Sequence, residues 1–232
     1  PQDVVTGNWP GGRAPAARRA RELAKTARDL VLEHFTWLDG HADVWAVFRD
    51  GEALEVVVKA LAEPFRDAGI TAVCGVESRG FLLGAAVAVE LGVGFVPVRK
   101  GEGLFPGRKS ERTSAPDYRR LRHRLRLRRD SVRSGDRLVL VDDWIETGQQ
   151  AAAARDMVEE CGGRWAGCSV IVDQLGPEGH APVGPVHALL SYAPLSSRAP
   201  VLDFLVELAP AGRGPLVDLL IRLFRAAHEP RP

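Results

Sequence analysis

An α/β fold, with a central, mostly parallel sheet covered by helices on both faces, is the class this sequence predicts. Three observations predict it. Short apolar runs of strand length alternate along the chain with longer segments of helical period, the order that builds a parallel sheet with helices on either side. The chain has 232 residues, within the reach of one core. Hydrophobic residues at 45% and charged residues at 26% are the balance of an ordinary globular protein, which excludes wholesale disorder.

After a Gly- and Pro-rich leader, Ala20, Leu23, Ala24, Ala27, Leu30, Val31 and Phe35 recur at three- and four-residue spacing. They predict an amphipathic helix from about Ala14 to Thr36 with an arginine-rich outer face. A second helix is expected from Leu54 to Ala68, leading through Gly69 into a buried strand, Ile70 to Gly75. A third, Phe81 to Leu91, feeds a strand from Phe95 to Val98. The stretch Phe81 to Val98 is the most apolar of the chain, but Glu90, Gly92, Gly94 and Pro97 break it, so no membrane span is expected. Arg137 to Val141 reads as another buried strand, and Ala151 to Cys161 as a helix stopped by Gly162 and Gly163. Ser169 to Val172 and Ala188 to Leu190 complete the strands. Leu216, Leu219, Leu220, Leu223 and Phe224 form a helical stripe in the tail, expected to pack on the body or on a second subunit. The expected division is 1–36 leader and helix, 37–195 a single α/β domain, and 196–232 a helical extension.

The 31 basic and 30 acidic residues nearly cancel, so global charge favours neither a nucleic acid nor a membrane partner. Three cysteines, Cys74, Cys161 and Cys168, make no CxxC pair and no even disulfide framework, and no secretory signal opens the sequence. A cytoplasmic location is therefore expected. One local cluster stands out. From Arg119 to Arg129, apolar and basic residues alternate with period two, as in a half-buried strand with one positive face. A solvated or edge-protecting face is the favoured reading, a polyanion site the other.

The chemistry is concentrated in Val139-Leu140-Val141-Asp142-Asp143-Trp144-Ile145-Glu146-Thr147-Gly148-Gln149-Gln150. Two adjacent carboxylates end a buried strand, and a glycine turn then opens a helix whose unpaired N–H groups can receive a phosphate. Acids capping a helix would be the plain structural explanation. The pattern, however, resembles the phosphoribosyl pyrophosphate signature of the type I phosphoribosyltransferases. Four other segments agree. Val73 to Gly84, with Glu77-Ser78-Arg79-Gly80-Phe81, is similar to the pyrophosphate loop of the adenine-specific branch, with Glu77 in place of Asp. Val96 to Lys100 resembles its strand ending in Arg-Lys, Val47-Phe48-Arg49-Asp50 its hood, and Asp117-Tyr118 its loop Glu-Tyr pair. The resemblance runs from about Trp45 to Tyr192. Gly101, Gly103 and Gly107 do not fit dinucleotide spacing.

The resemblance implies transfer of ribose 5-phosphate from phosphoribosyl pyrophosphate to a purine, adenine above all, with Mg²⁺ and a homodimer. Asp142 and Asp143 would hold the ribose hydroxyls, and through them the metal. Glu146, Thr147, Gly148, Gln149 and Gln150 would cradle the 5′-phosphate. Glu77, Ser78 and Arg79, with a cis peptide at Glu77–Ser78, would join Arg99 and Lys100 at the pyrophosphate. Val47, Arg49 and Tyr118 would meet the base. Asp117 or Glu146 would handle the proton, and the polar stretch from Phe105 to Tyr118 would be a mobile lid. Asp173 stands where 6-oxopurine enzymes carry Lys and adenine enzymes Glu, which favours an amino-bearing base. Glu146 departs from the usual small residue. A carboxylate aimed at the phosphate from about 6 Å would cost roughly 3 kcal/mol, so an orientation toward the base N7 is the alternative. These departures leave two other readings open: a different base, or a non-catalytic sensor of phosphoribosyl pyrophosphate that grips nucleic acid through its arginine strand.

Overall fold

The computed structural model describes residues 14–38, 41–116 and 121–191. Helix α1 (Ala14–His34) is followed by a small hairpin, β1 (Thr36–Leu38) with β2 (His41–Asp43), then by the short α2 (Trp45–Arg49) and by α3 (Gly51–Ala62). The main sheet then builds up as β3 (Ala72–Val76), α4 (Arg79–Leu91), β4 (Gly94–Lys100), β5 (Lys109–Thr113), β6 (Arg124–Arg128), β7 (Arg137–Ile145), α5 (Gln149–Glu160), β8 (Arg164–Asp173) and β9 (Val186–Ser191). Among the described residues its order is β5-β6-β4-β3-β7-β8-β9. The pairs β4/β3, β3/β7, β7/β8 and β8/β9 are parallel, while β6 is antiparallel to both β4 and β5.

Each face of the sheet has its own core. On one side Ala27 and Val31 of α1, Val57 and Leu61 of α3, and Leu83 and Val87 of α4 pack on Val139, Val141 and Ile171. On the other, Met157 and Val158 of α5 cover Leu125, Leu127, Leu138, Leu140 and Val170. Burying a Leu, Ile or Val side chain contributes about 1.5–3 kcal/mol, so two such layers hold the strands rigidly enough to aim their ends. Local signals set the helix limits: Asp50 caps α3 by accepting from Ala53 N–H at 2.9 Å, and Gly92 ends α4 with φ 69°.

Three expectations change. Lys109–Thr113, read as part of a mobile loop because it lacks apolar residues, is an edge strand. Its side chains find charged partners instead of a core: Glu111 pairs with Arg124, and Arg112 with Glu160. The arginine strand is shorter than its pattern, Arg124–Arg128, because its antiparallel partners β4 and β5 reach only that far. The strand before the acids is longer: β7 continues through both carboxylates to Ile145, carried by its pairing with β8. That pairing has one irregularity. Leu138 lies opposite Trp165 but Val139 opposite Gly167, so Ala166 is an extra residue in β8.

Candidate active site

Asp142 and Asp143 sit near the carboxyl end of β7, in the middle of the sheet. Asp142 Oδ1 accepts from the Asp143 N–H at 3.0 Å. Arg79, the first residue of α4, places Nε 2.9 Å from Asp143 Oδ2, and its guanidinium carbon lies 5.7 Å from the Trp45 ring centroid. The Arg79–Asp143 contact is close but poorly aligned, because the buried Oδ2 makes no hydrogen bond of acceptable geometry. Burial, then the negative charge of Asp143, pushes the Asp142 carboxyl well above its ordinary range. Lys100 is lowered by burial, against the opposing pull of Asp142 and Asp143. Charges of both signs are thus gathered where water cannot fully solvate them.

The loop from β3 to α4 folds tightly against these acids. A Cβ on Gly75 would come within 2.0 Å of the Gly80 carbonyl oxygen, which excludes any side chain there, and one on Gly80 would press within 3.0 Å of Asp142 Oδ1 and displace it by a few tenths of an ångström. The Glu77–Ser78 peptide is cis. Glu77 points to the end of β4: Oε2 accepts from the Lys100 N–H at 2.9 Å and from Arg99 Nε at 3.3 Å. Burial alone would raise its carboxyl, but the Lys100 N–H and the Arg99 guanidinium outweigh that and hold it below its usual value. Arg99 also donates to the Leu104 carbonyl at 3.1 Å, tying the start of the following loop to the strand.

On the other side of the acids, Gly148, with φ 69°, turns the chain from β7 into α5. The first N–H groups of α5 have no partner within the helix and face this turn. The segment after β8 braces it from behind: a Cβ on Gly148 would approach Val183 Cγ1 at 3.2 Å and Leu175 Cδ2 at 3.4 Å. Glu146 and Thr147 lie half-buried beside it. Acids flanked by a glycine loop with cations on one side and by an anion-accepting helix terminus on the other make a site for a polyol carrying anionic groups at both ends.

A family model described as the phosphoribosyl transferase domain matches residues 45–182. The chain belongs to that family. Among curated relatives, the adenine phosphoribosyltransferase of Nitrosospira multiformis is 40% identical over 131 residues, covering 56% of this chain and 73% of its own length. That of Bifidobacterium animalis is 38% identical over 184 residues, 78% of this chain and 92% of its own. Among solved structures, the Rhodothermus marinus adenine phosphoribosyltransferase superposes with a TM-score of 0.64 at 32% identity, covering 72% of this chain and 98% of its own. The Saccharomyces cerevisiae enzyme, complexed with an imino-altritol bisphosphate and adenine, gives 0.63 at 28% identity, covering 71% and 99%.

In this phosphoribosyltransferase, Asp142, Asp143, Arg79, Lys100, Arg99 and Glu77 are brought together, and Ser78, Thr147, Gly148, Gln149 and Gln150 frame them. The hood residues divide. Val47 is fully buried in the core, so its side chain supports the hood from behind, while Arg49 is exposed at the end of α2. Asp117 and Tyr118 lie outside the described residues. Asp173 is not open toward a base: Oδ1 accepts from the Leu175 N–H and Oδ2 meets His180 Nε2, each at 2.8 Å. Two of the three arginines of β6 are matched by carboxylates, and the third, Arg126, is buried with its Nε unpartnered among the described residues. Arg124 meets Glu102 and Glu111, Arg128 meets Asp130, and Arg126 donates to the Gly103 carbonyl beside the Phe105 ring. Sequence reading missed the hydrogen bond between Trp144 and Gln174, which joins two strands at their site ends.

Proposed function

We propose that this phosphoribosyltransferase transfers the ribose 5-phosphate unit of phosphoribosyl pyrophosphate to a ring nitrogen of adenine, releasing pyrophosphate. The observation that carries the reading is the adjacent pair Asp142 and Asp143 on β7, set between the Arg79 loop and the α5 terminus. Its relatives named for adenine support the choice of base.

The chain's own part is placement and charge. Asp142 and Asp143 receive the ribose hydroxyls and fix the ring. The α5 N–H groups and the Thr147–Gln150 turn hold the 5′-phosphate. Arg79, Arg99 and Lys100 face the pyrophosphate and offset the charge that builds on it as the C1′ bond stretches, a contribution of preorganised electrostatics. Glu146, just past the end of β7, or Asp117 handles the proton on the base.

The residues fit Mg²⁺ of a particular kind. Among the described residues no group of three or more His, Cys, Asp or Glu could cage a metal, yet Asp143 keeps a buried oxygen without an aligned donor. The ion would be held by Asp142 and Asp143 through the ribose hydroxyls and would neutralise charge on the leaving pyrophosphate when bound. The expected assembly is a homodimer. Leu82 and Val89 of α4, 51% and 82% exposed, support an apolar contact between copies. The cytoplasm is the expected location, with three free cysteines and, among the described residues, no helix long and apolar enough to cross a membrane. The proposed catalytic domain is 37–195.

One assay tests the reading. Protein, Mg²⁺ and phosphoribosyl pyrophosphate are mixed with adenine, hypoxanthine, guanine and other bases, and released pyrophosphate is measured. Release with adenine is expected; release with another base alone would reassign the substrate, and tight binding without turnover would turn the chain into a sensor.

A further inference from the structure

Trp144 and Gln174 form a polar pair that the reaction described above does not use. Trp144 Nε1 donates to Gln174 Oε1 at 2.8 Å. Strand register creates the contact: Trp144 lies opposite Val172 and Ile145 opposite Asp173, and the Gln174 N–H then donates to the Ile145 carbonyl at 2.8 Å. The pair therefore sits one residue past the end of β8, beside Glu146 and directly after the sugar-binding acids.

An indole nitrogen only donates, so the amide oxygen of Gln174 must face it. Its nitrogen, with two N–H donors, is then directed away from Trp144, and among the described residues it donates to no protein acceptor. Neighbouring groups cannot serve instead. Both oxygens of Asp173 are engaged, and Leu175 is buried beneath Gly148. A half-buried amide held in one orientation with its donors open is a recognition element awaiting an acceptor.

We infer that Gln174, positioned by Trp144, reads the edge of the incoming base and selects a heterocycle that presents a hydrogen-bond acceptor there. The inference rests on the adenine phosphoribosyltransferase reading. Adenine carries two acceptors away from its imidazole ring, N1 and N3, and a C–H at either place cannot satisfy the amide. Sites built to hydrogen-bond a substrate reject analogues that lack the partner far more strongly than apolar pockets do.

The test compares kcat/KM for adenine, 1-deazaadenine and 3-deazaadenine, each analogue exchanging one ring nitrogen for C–H while keeping N7 and N9. The wild-type enzyme should penalise one of the two analogues by about 10- to 100-fold. Gln174→Leu should shrink that penalty to about threefold or less, mainly by losing adenine activity. Gln174→Glu keeps an acceptor for Trp144 but replaces the donors, and should lower kcat/KM for adenine by a similar 10- to 100-fold. Trp144→Phe should fall between, with KM moving more than kcat, as expected of a positioning residue. Unchanged affinity for phosphoribosyl pyrophosphate in all three variants confirms an intact fold. A wild-type enzyme indifferent to both analogues, or a Gln174→Leu variant that keeps the full penalty, overturns the inference while the adenine reading stands. Absence of pyrophosphate release by the wild type with every base overturns both.

Discussion

Two regions of this molecule are dense in charge, and they handle it in opposite ways. On the β5–β6 hairpin the arginines nearer the surface are balanced by carboxylates: Arg124 has Glu102 and Glu111, Arg128 has Asp130, and Arg112 has Glu160, while the buried Arg126 donates to the Gly103 carbonyl. At the end of β7, Asp142, Asp143, Arg79 and Lys100 share a partly dry space, and their pairing is incomplete. Burial pushes Asp142 up and Lys100 down, and Asp143 Oδ2 lacks an aligned donor. The difference teaches where a ligand belongs. Exposed, matched charges are a finished surface, whereas desolvated charges left short of partners mark a place where the missing counter-charges arrive with the substrate.

The largest test of this contrast is Asp142→Asn. The raised carboxyl binds more protons in the folded than in the unfolded chain above the ordinary value, so it destabilises the substrate-free protein as pH rises toward neutrality. Asparagine removes that cost. Turnover should fall at least about 100-fold while the thermal midpoint at pH 7 rises; a lower midpoint would contradict the picture of stored electrostatic strain. Next, Arg79→Met leaves Asp143 buried without its cation. Loss of about 3 kcal/mol by denaturant titration and weaker phosphoribosyl pyrophosphate binding by calorimetry are expected.

A buried ionisable group away from the site sharpens the comparison. His187 on β9 is pushed down to about 4 by burial, opposed only by a backbone hydrogen bond at Ala60, and its Nε2 has no partner. The unfolded chain therefore binds the extra proton between pH 6.5 and about 4, and stability falls as pH drops through that window. The loss should reach about 3 kcal/mol near the lower end, and His187→Leu should flatten the slope measured by thermal unfolding across pH. The smallest effect belongs to the hairpin. Arg124→Ala, in solvent-facing ion pairs far from the acids, should leave both the midpoint and the turnover within experimental scatter.

Much of this was legible in the sequence, for physical reasons that differ by region. The sheet strands announced themselves because β3, β7 and β8 are covered on both faces and so are continuously apolar. The acids and the glycine turn were legible because a short segment carries all of their chemistry. Strand β5 was not, since Lys109–Thr113 is held by charged partners from β6 and α5 that local pattern cannot foresee. Asp173 could be located in sequence but not judged, because its fate depends on His180 in the loop beyond it. The Trp144–Gln174 bond was out of reach for the same reason: two residues thirty apart meet only through register.

That register has a remote origin. Ala166, the supernumerary residue in β8, lies at the opposite end of the strand from Gln174. Side chains on a strand alternate, and this extra residue absorbs the mismatch between the two ends of the strand; removing a residue just beyond it, with no bulge to absorb the change, would exchange the faces of everything downstream. Val170 and Ile171 would trade cores, and the glutamine would no longer meet the indole. A single-residue deletion far from any substrate would thus be a way to misalign the pocket wall while leaving every contacting residue in the sequence, which makes the alignment of this site a property of spacing as much as of composition.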